Sequence, residues 1–324
     1  MTPHPTSFLR VLAATAAIAL VPAAAAQAAT APSVSTGGAA NVKDQTATLA
    51  GSVNPRGSAT TYFFQYGPSA AYGSSTAPAS AGSGSSGKRF TTPVDSLTPN
   101  TRYHFRIVAR SAGGTSLGGD RTFTTAKQPL GFTIAATPNP VPFGGTTTVS
   151  GTLTGTGGGN RQIVLQQRVF PYTTPFAQVG NPQVTGADGS FSFPGVAVPQ
   201  NTQFRVQTDK APTVTSPVVT AGAAVKVSTL TSTTHPRKGS SVRFSGHIYP
   251  ARDGAQIGIQ KLNSKKQWVT VAGTITRHSG GTTSKSRYAK SVKVSRGGSY
   301  RIYALIVDGN YVSNVGRTVK ISTR

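Results

Sequence analysis

Seven carboxylates stand against 32 Lys and Arg in this 324-residue chain, and all seven are Asp. Acid–base and metal chemistry therefore have few groups to draw on. Asp188, Asp253 and Asp308 each precede Gly, the pattern of turn residues. Asp95 sits just before a Leu-Thr-Pro stretch, Asp120 follows Gly118-Gly119, Asp44 lies in an N-terminal lead-in, and Asp209 stands beside Lys210. Glycosidase chemistry needs two carboxylates on one site, and the spacing suggests no pair. Beyond residue 28 the His residues are His104, His235, His247 and His278. None is spaced i, i+2 or i, i+4 from another, and the chain has no Cys to complete a zinc site. Each reads as a solvated strand or loop His, with His247 on the polar face of its strand beside Arg243 and Ser245. One Gly-x-Ser-x-Gly match occurs, Gly114-Thr-Ser116-Leu-Gly118. A nucleophile elbow needs a helix after it; here another strand follows, so the segment reads as a hairpin loop. The Gly-rich runs at 82–87 and 155–159 lack the Lys-Ser/Thr ending of a phosphate loop. Clustered carboxylates for calcium are missing. No catalytic residue, metal ligand or cofactor is expected.

The basic residues are the remaining chemistry, and they are unevenly spread. Residues 223–324 hold 18 basic and two acidic residues, residues 130–222 hold four and two, and residues 29–129 hold nine and three. The candidates for contact with an anionic polymer are Arg237 and Lys238, Arg243, Lys261 with Lys265 and Lys266 around a hairpin tip, and Lys285, Arg287, Lys290 and Lys293. Trp268 and Tyr288 lie among them and are candidates for stacking on sugar rings or bases. The bland reading of Trp268 is core, because the residue matching it in the repeat described below, Phe176, is also apolar.

The elements that must position these residues are strands. Short alternating apolar runs are broken by Gly, Pro, Asn and Asp at roughly 8–12-residue spacing, and 37 Gly and 22 Pro supply the punctuation. No amphipathic helix of three turns is expected after residue 28. Residues 1–28 read as a secretory signal peptide: Arg10, an apolar run from Val11 to Val21, then Ala26-Gln27-Ala28 as a cleavage site. The apolar run is shorter than the ~20 residues that span a bilayer. No twin Arg, no lipoprotein Cys and no C-terminal sorting motif is seen. The expected product is secreted, or held non-covalently at a cell surface. Without disulfides, an exported chain must build cores large enough to stand alone.

Residues 29–129 form the first expected module. Strands are expected at 46–53, 61–66, 103–110 and 118–125, with a Ser/Gly-rich loop at 80–87. Tyr103, Phe105, Ile107 and Ala109 share one face of their strand; Arg102, His104, Arg106 and Arg110 share the other. Leu97-x-Pro99-x-Thr101-x-Tyr103 resembles the tyrosine-corner region of a fibronectin type III domain, in which the Tyr hydroxyl returns to the backbone just upstream. The Tyr62-x-Phe64-x-Tyr66-Gly67 variant is similar to forms common in secreted actinobacterial proteins. A Trp usual in an early strand of the family is missing, so the resemblance is to a divergent member.

The rest is an internal repeat. Val149-Ser-Gly-Thr-Leu153 matches Phe244-Ser-Gly-His-Ile248, Ile163-Val-Leu-Gln166 matches Ile257-Gly-Ile-Gln260, Phe176 matches Trp268, and Phe204-Arg-Val206 matches Tyr300-Arg-Ile302. Residues 130–222 and 223–324 are therefore read as two Ig-like sandwiches, joined to their neighbours at short boundaries near Pro129 and Gly222. The segment 185–193, with its Asp188-Gly189 turn, resembles an element of bacterial Ig-like and prealbumin-like surface modules. The expectation is an all-β chain of three tandem fibronectin type III-like or Ig-like β-sandwiches. Its expected role is non-enzymatic adhesion or spacing at the cell envelope, with the basic third module docking on an anionic wall polymer or acidic polysaccharide. Nucleic acid fits the charge but finds no reading motif. A polysaccharide-binding accessory protein is the competing class, and a hydrolase with a site between modules is a weaker third.

Overall fold

In the computed structural model, Met1 and residues 29–280 and 282–324 are described; the expected leader lies outside the described residues apart from Met1. All described secondary structure is β, and no helix among the described residues is long and apolar enough to cross a membrane. The chain divides into two compact bodies, Met1–Ala126 and Lys127–Arg324. The first holds one sandwich. The second holds two.

In the first body the strands Ser33–Thr36, Ala47–Asn54 and Lys88–Val94 form one sheet in that order. The other sheet is centred on Thr60–Gly67 paired with Arg102–Ser111. The alternation read from sequence sets the faces. Tyr103, Phe105, Ile107 and Ala109 are buried with Leu49, Val53 and Phe64, while Arg102 and Arg110 are exposed. The Tyr103 hydroxyl accepts a hydrogen bond from the Thr98 N–H at 3.0 Å, the link the tyrosine-corner resemblance implies. Tyr103→Phe leaves that N–H without its acceptor. It is expected to lower the stability of this sandwich by about 1 kcal/mol, read as a lower denaturant midpoint with an unchanged slope.

Two local expectations are corrected. Gly114–Leu117 is a strand paired to the end of Arg102–Ser111, not a loop, because a two-residue turn at 112–113 returns the chain to the ladder at once. Ser116 there donates to the Pro32 carbonyl at 2.5 Å, so its hydroxyl serves the fold. Part of the Ser/Gly-rich stretch is likewise a strand, Ala79–Gly82, paired to Thr60–Gly67.

The second body repeats this plan twice. Gly131–Thr137, Thr146–Thr154 and Ser190–Ala197 form one sheet. Gln162–Val169 and Thr202–Thr208 centre the other. In the last sandwich Ser241–Tyr249 pairs with Thr282–Lys293, which pairs with Arg277–Ser279. Gln256–Leu262 lies between Trp268–Ile275 and Gly298–Leu305 in the facing sheet. Each core is built from the inward residues of both its sheets, Phe191, Leu165 and Phe204 in one and Phe244, Ile257 and Ile302 in the other.

The stretch around Gly222 is not a free linker. Val219–Ala221 completes one sheet, and Ala223–Ala224 pairs in parallel with Val141–Pro142. The backbone of Val312 bonds both Ala223 and Val225, and Asn201 ties the two sandwiches through the Gly309 and Asn310 carbonyls. Tyr311 packs against both cores.

Candidate functional site

A surface site here has to be assembled from side chains pointing away from the cores. On Ser241–Tyr249 these are Arg243, Ser245, His247 and Tyr249; on Thr282–Lys293 they include Lys285, Arg287 and Ala289, since the inward residues alternate with them. Register then builds a row. His247 is opposite Arg287, and Arg287 is opposite Arg277 on the edge strand. Neighbouring strands are about 4.8 Å apart, so the row crosses three strands of one sheet face. Arg243 lies four residues from His247 on the same strand, and Lys226 pairs opposite Tyr249 on the strand beyond it, both at the His247 end of the row. The row borders an open depression of about 400 Å³ lined by Arg243, Ser245, His247, Arg277 and Arg287, with Leu230 and Ile275 at its edges. Leu230 and Ile275 are 64% and 48% exposed. No carboxylate lines it.

The electrostatics of this face are one-signed. Desolvation, and then the positive charge of Lys285, hold the His247 imidazole below its usual pKa, so it is neutral at pH 7 in the free protein. The Nε of Arg287 donates to the His278 carbonyl at 3.2 Å, which ties the guanidinium to the edge strand. The two carboxylates of this sandwich are engaged elsewhere. Asp308 pairs with Arg252 Nε at 2.7 Å. Asp253 accepts from the buried Ser286 hydroxyl at 2.5 Å and lies 3.6 Å from His278 Nδ1.

Of the residues expected from sequence, Arg243, Lys285 and Arg287 share this face. Arg237, Lys238 and Lys293 are exposed at the far end of the same sheet, some six residues or about 20 Å along the strand. Lys265 and Lys266 stand at the exposed hairpin tip of the facing sheet. Lys261 is pinned there, its ammonium donating to the Arg296 carbonyl at 2.8 Å and lying 5.4 Å from the Tyr300 ring centre. Lys290 is exposed over a different depression, beside Gly258 and Gly273.

Tyr288 is the clear correction. It is 3% exposed, inside the core, and its hydroxyl donates to the Ser228 carbonyl at 2.6 Å, so its ring is closed to stacking. Burial pushes its pKa up to about 12. The bland reading of Trp268 fails in the other direction. Trp268 is half-buried on the outer face, with Arg301 over its ring at 4.3 Å and Arg301 Nε donating to Gln260 Oε1 at 2.8 Å.

That arrangement recurs in every sandwich. Arg205 lies over Phe176 and bonds Gln166, and Arg106 lies over Tyr72 and bonds Gln65. The Gln and Arg are directly opposite each time. Sequence matching recovered the pieces in the second and third modules but not their assembly, nor its presence in the first.

The site residues missed are Arg277, His247 and Lys226. His247 alternates with Arg243 on one strand, while Arg277 and Lys226 sit on separate short strands and join the face only through strand register.

Carboxylates do gather in one other place. Asp253 and Asp308 line a small open depression of about 220 Å³ on either side of Arg252, a proximity that the spacing did not suggest. Both are engaged as described. In the first sandwich Asp120 accepts from Tyr72 at 3.0 Å and meets His104 Nδ1 at 2.8 Å. Desolvation opposes ionisation there, but the hydrogen bonds from His104 and Tyr72 outweigh it and hold this carboxyl below its ordinary value. No group of three or more metal-ligating side chains is gathered among the described residues.

No family model and no curated protein matches the chain. Solved structures do align with it. The FN1-FN3 domains of chicken CNTN1 match at 18% identity, covering 91% of this chain and 99% of that one, with a TM-score of 0.28. Domains A168-A170 of titin match at 14% identity, covering 90% and 99%, with a TM-score of 0.37. A complex of the mouse coronavirus receptor-binding domain with its murine receptor aligns at 14% identity, covering 60% and 100%, with a TM-score of 0.28.

Proposed function

We propose that this chain is an exported, non-enzymatic adhesion or spacer protein of the cell envelope, and that its last sandwich docks on an anionic surface polymer. The observation that carries the reading is the basic outer face around His247, Arg287 and Arg277, which no carboxylate lines. A field of one sign draws polyanions in and holds them in a salt-dependent way. Three tandem sandwiches, each with its own core, suit a spacer.

The test is retention of the full chain on immobilised anionic polymers, polygalacturonate and a poly(glycerol phosphate), across a salt series. Binding is expected to fall at least about tenfold between roughly 50 and 300 mM salt, as the screening length shortens. Retention that ignores salt overturns electrostatic docking, and cleavage of the polymer by the pure protein overturns the non-enzymatic reading.

One observation favours a second reading, polysaccharide recognition by ring contact. Gly258 lies opposite both Gly273 and Tyr303, on the floor of an open depression on the outer face. The same position in the other sandwiches holds Phe63, opposite Val108, and Val164, opposite Gln207. The fold therefore takes a large side chain there, and the last sandwich leaves the space open. Elution by a neutral sugar at constant salt supports this reading over the first.

A further inference from the structure

We propose that the row His247–Arg287–Arg277, with Arg243 beside it, is a discrete site for a phosphoryl group carried on a polymer chain. The inference rests on the docking reading above and names its ligand chemistry. It starts from a local conflict. Arg277 and Arg287 are directly opposite on adjacent antiparallel strands, where side-chain β-carbons stand about 5 Å apart and like charges destabilise the pair. A protein carboxylate would relieve the conflict, but the two in this sandwich bond Arg252 and Ser286 instead.

The fold does not require the conflict. Thr152 is the counterpart of His247 in the repeat, and it lies opposite Thr133 and Ser190. The corresponding row of the first sandwich is Ser35, Ser52 and Arg89. Hydroxyls fill the row in the middle sandwich, and the first carries a single guanidinium, Arg89, opposite Ser52. The third places Arg287 opposite His247 and adds a further edge strand that sets Arg277 against Arg287.

The geometry selects the kind of anion. A carboxylate is planar and presents both oxygens along one edge, which suits a single guanidinium fork. Two guanidiniums facing each other across a strand pair, with an imidazole next in line, suit a tetrahedral group whose oxygens point several ways. Arg287 is already held in place through His278, so less side-chain freedom is lost on binding. Ser245 lines the same depression and adds a hydroxyl donor, and Thr274 adds another. An anion in the row offsets the charge of Lys285, the second cause, after desolvation, that holds the His247 imidazole below its usual pKa.

The experiment compares two full-length variants of equal charge. Arg287→Ser gives the row the hydroxyl found at Ser190, and Arg277→Ser in the same chain removes the guanidinium opposite it. Lys265→Ser with Lys266→Ser removes the same charge from the exposed hairpin tip. Each is titrated with a poly(glycerol phosphate), with polygalacturonate, and with vesicles containing phosphatidylglycerol, at fixed ionic strength. The row variant is expected to lose at least about tenfold in affinity for the phosphate polymer, and the tip variant under about threefold.

Unfolding temperature without ligand checks that both variants fold. Ligand-induced stabilisation gives a second reading of the site, expected in the tip variant and reduced in the row variant. Equal losses in the two variants overturn the discrete site while leaving electrostatic docking standing. Equal affinity of the unmodified chain for the carboxylate polymer overturns the phosphoryl assignment. Binding to vesicles alone overturns the polymer as the source. Failure of the unmodified chain to hold any anionic polymer removes the docking reading itself.

Discussion

Gly246→Val is expected to destabilise the last sandwich by roughly 3 kcal/mol or more, a large share of the 5–15 kcal/mol that typically holds a domain folded. Gly246 sits mid-strand, where the neighbouring segment crosses close to it. A Cβ there would run into the Ser228 carbonyl, and the Tyr288 hydroxyl lies 2.7 Å from the same point. Moving Ser228 away breaks the Tyr288 hydrogen bond that ties the core to that segment. The repeat carries the same requirement. Gly151 matches Gly246, and a Cβ on it would strike the Thr133 carbonyl.

Gly258→Val is the matched control. Its Cβ would meet nothing closer than Thr270 Oγ1 at 3.3 Å, and valine stands at this place in the middle sandwich. That change is expected to stay within about 1 kcal/mol of the parent. Denaturant unfolding of both variants checks the pair. A tolerated Gly246→Val would show that the close crossing at Ser228 is not a constraint.

Tyr311→Ala is expected to split the unfolding of Lys127–Arg324. Tyr311 packs against the cores of both sandwiches, its ring lies 5.9 Å from Phe143 in an edge-on contact, and Arg252 covers its face at 4.3 Å. Removing a half-buried aromatic with these contacts costs about 2–3 kcal/mol, and the cost falls on the joint rather than on either core alone. Calorimetry of the parent is expected to show one transition for these two sandwiches and of the variant two. A single transition in both, shifted or not, would place the coupling in the backbone pairing of Ala223–Ala224 instead.

What was legible in the sequence was local. The tyrosine corner joins Thr98 to Tyr103, only five positions apart, so the motif carries its own contact. The repeat was legible because inward residues keep their spacing, as in Phe204-Arg-Val206 and Tyr300-Arg-Ile302. The basic row was not, because it exists only when three strands are laid side by side, and Arg277 and Arg287 meet across a hairpin whose register shifts between His278 and Ser279. Tyr288 was misread for a related reason. Its strand carries Lys and Arg at both parities, with Lys290 exposed two residues from the buried ring, so alternation alone does not say which face is inward. Trp268 was weighed as core because Phe176 is apolar, yet both rings lie outside under arginines, where the aliphatic and planar parts of the guanidinium side chain cover them.

The pairing of Ala223–Ala224 with Val141–Pro142 leaves no slack between the last two sandwiches. A load applied to the last sandwich reaches its neighbour through backbone hydrogen bonds such as Val141 N–H to Gly222 O at 2.7 Å and Val312 N–H to Ala223 O at 2.8 Å. A coiled tether would stretch first and absorb the pull. Here the two sandwiches share backbone pairing at their joint, so a pull on one is passed straight to the other.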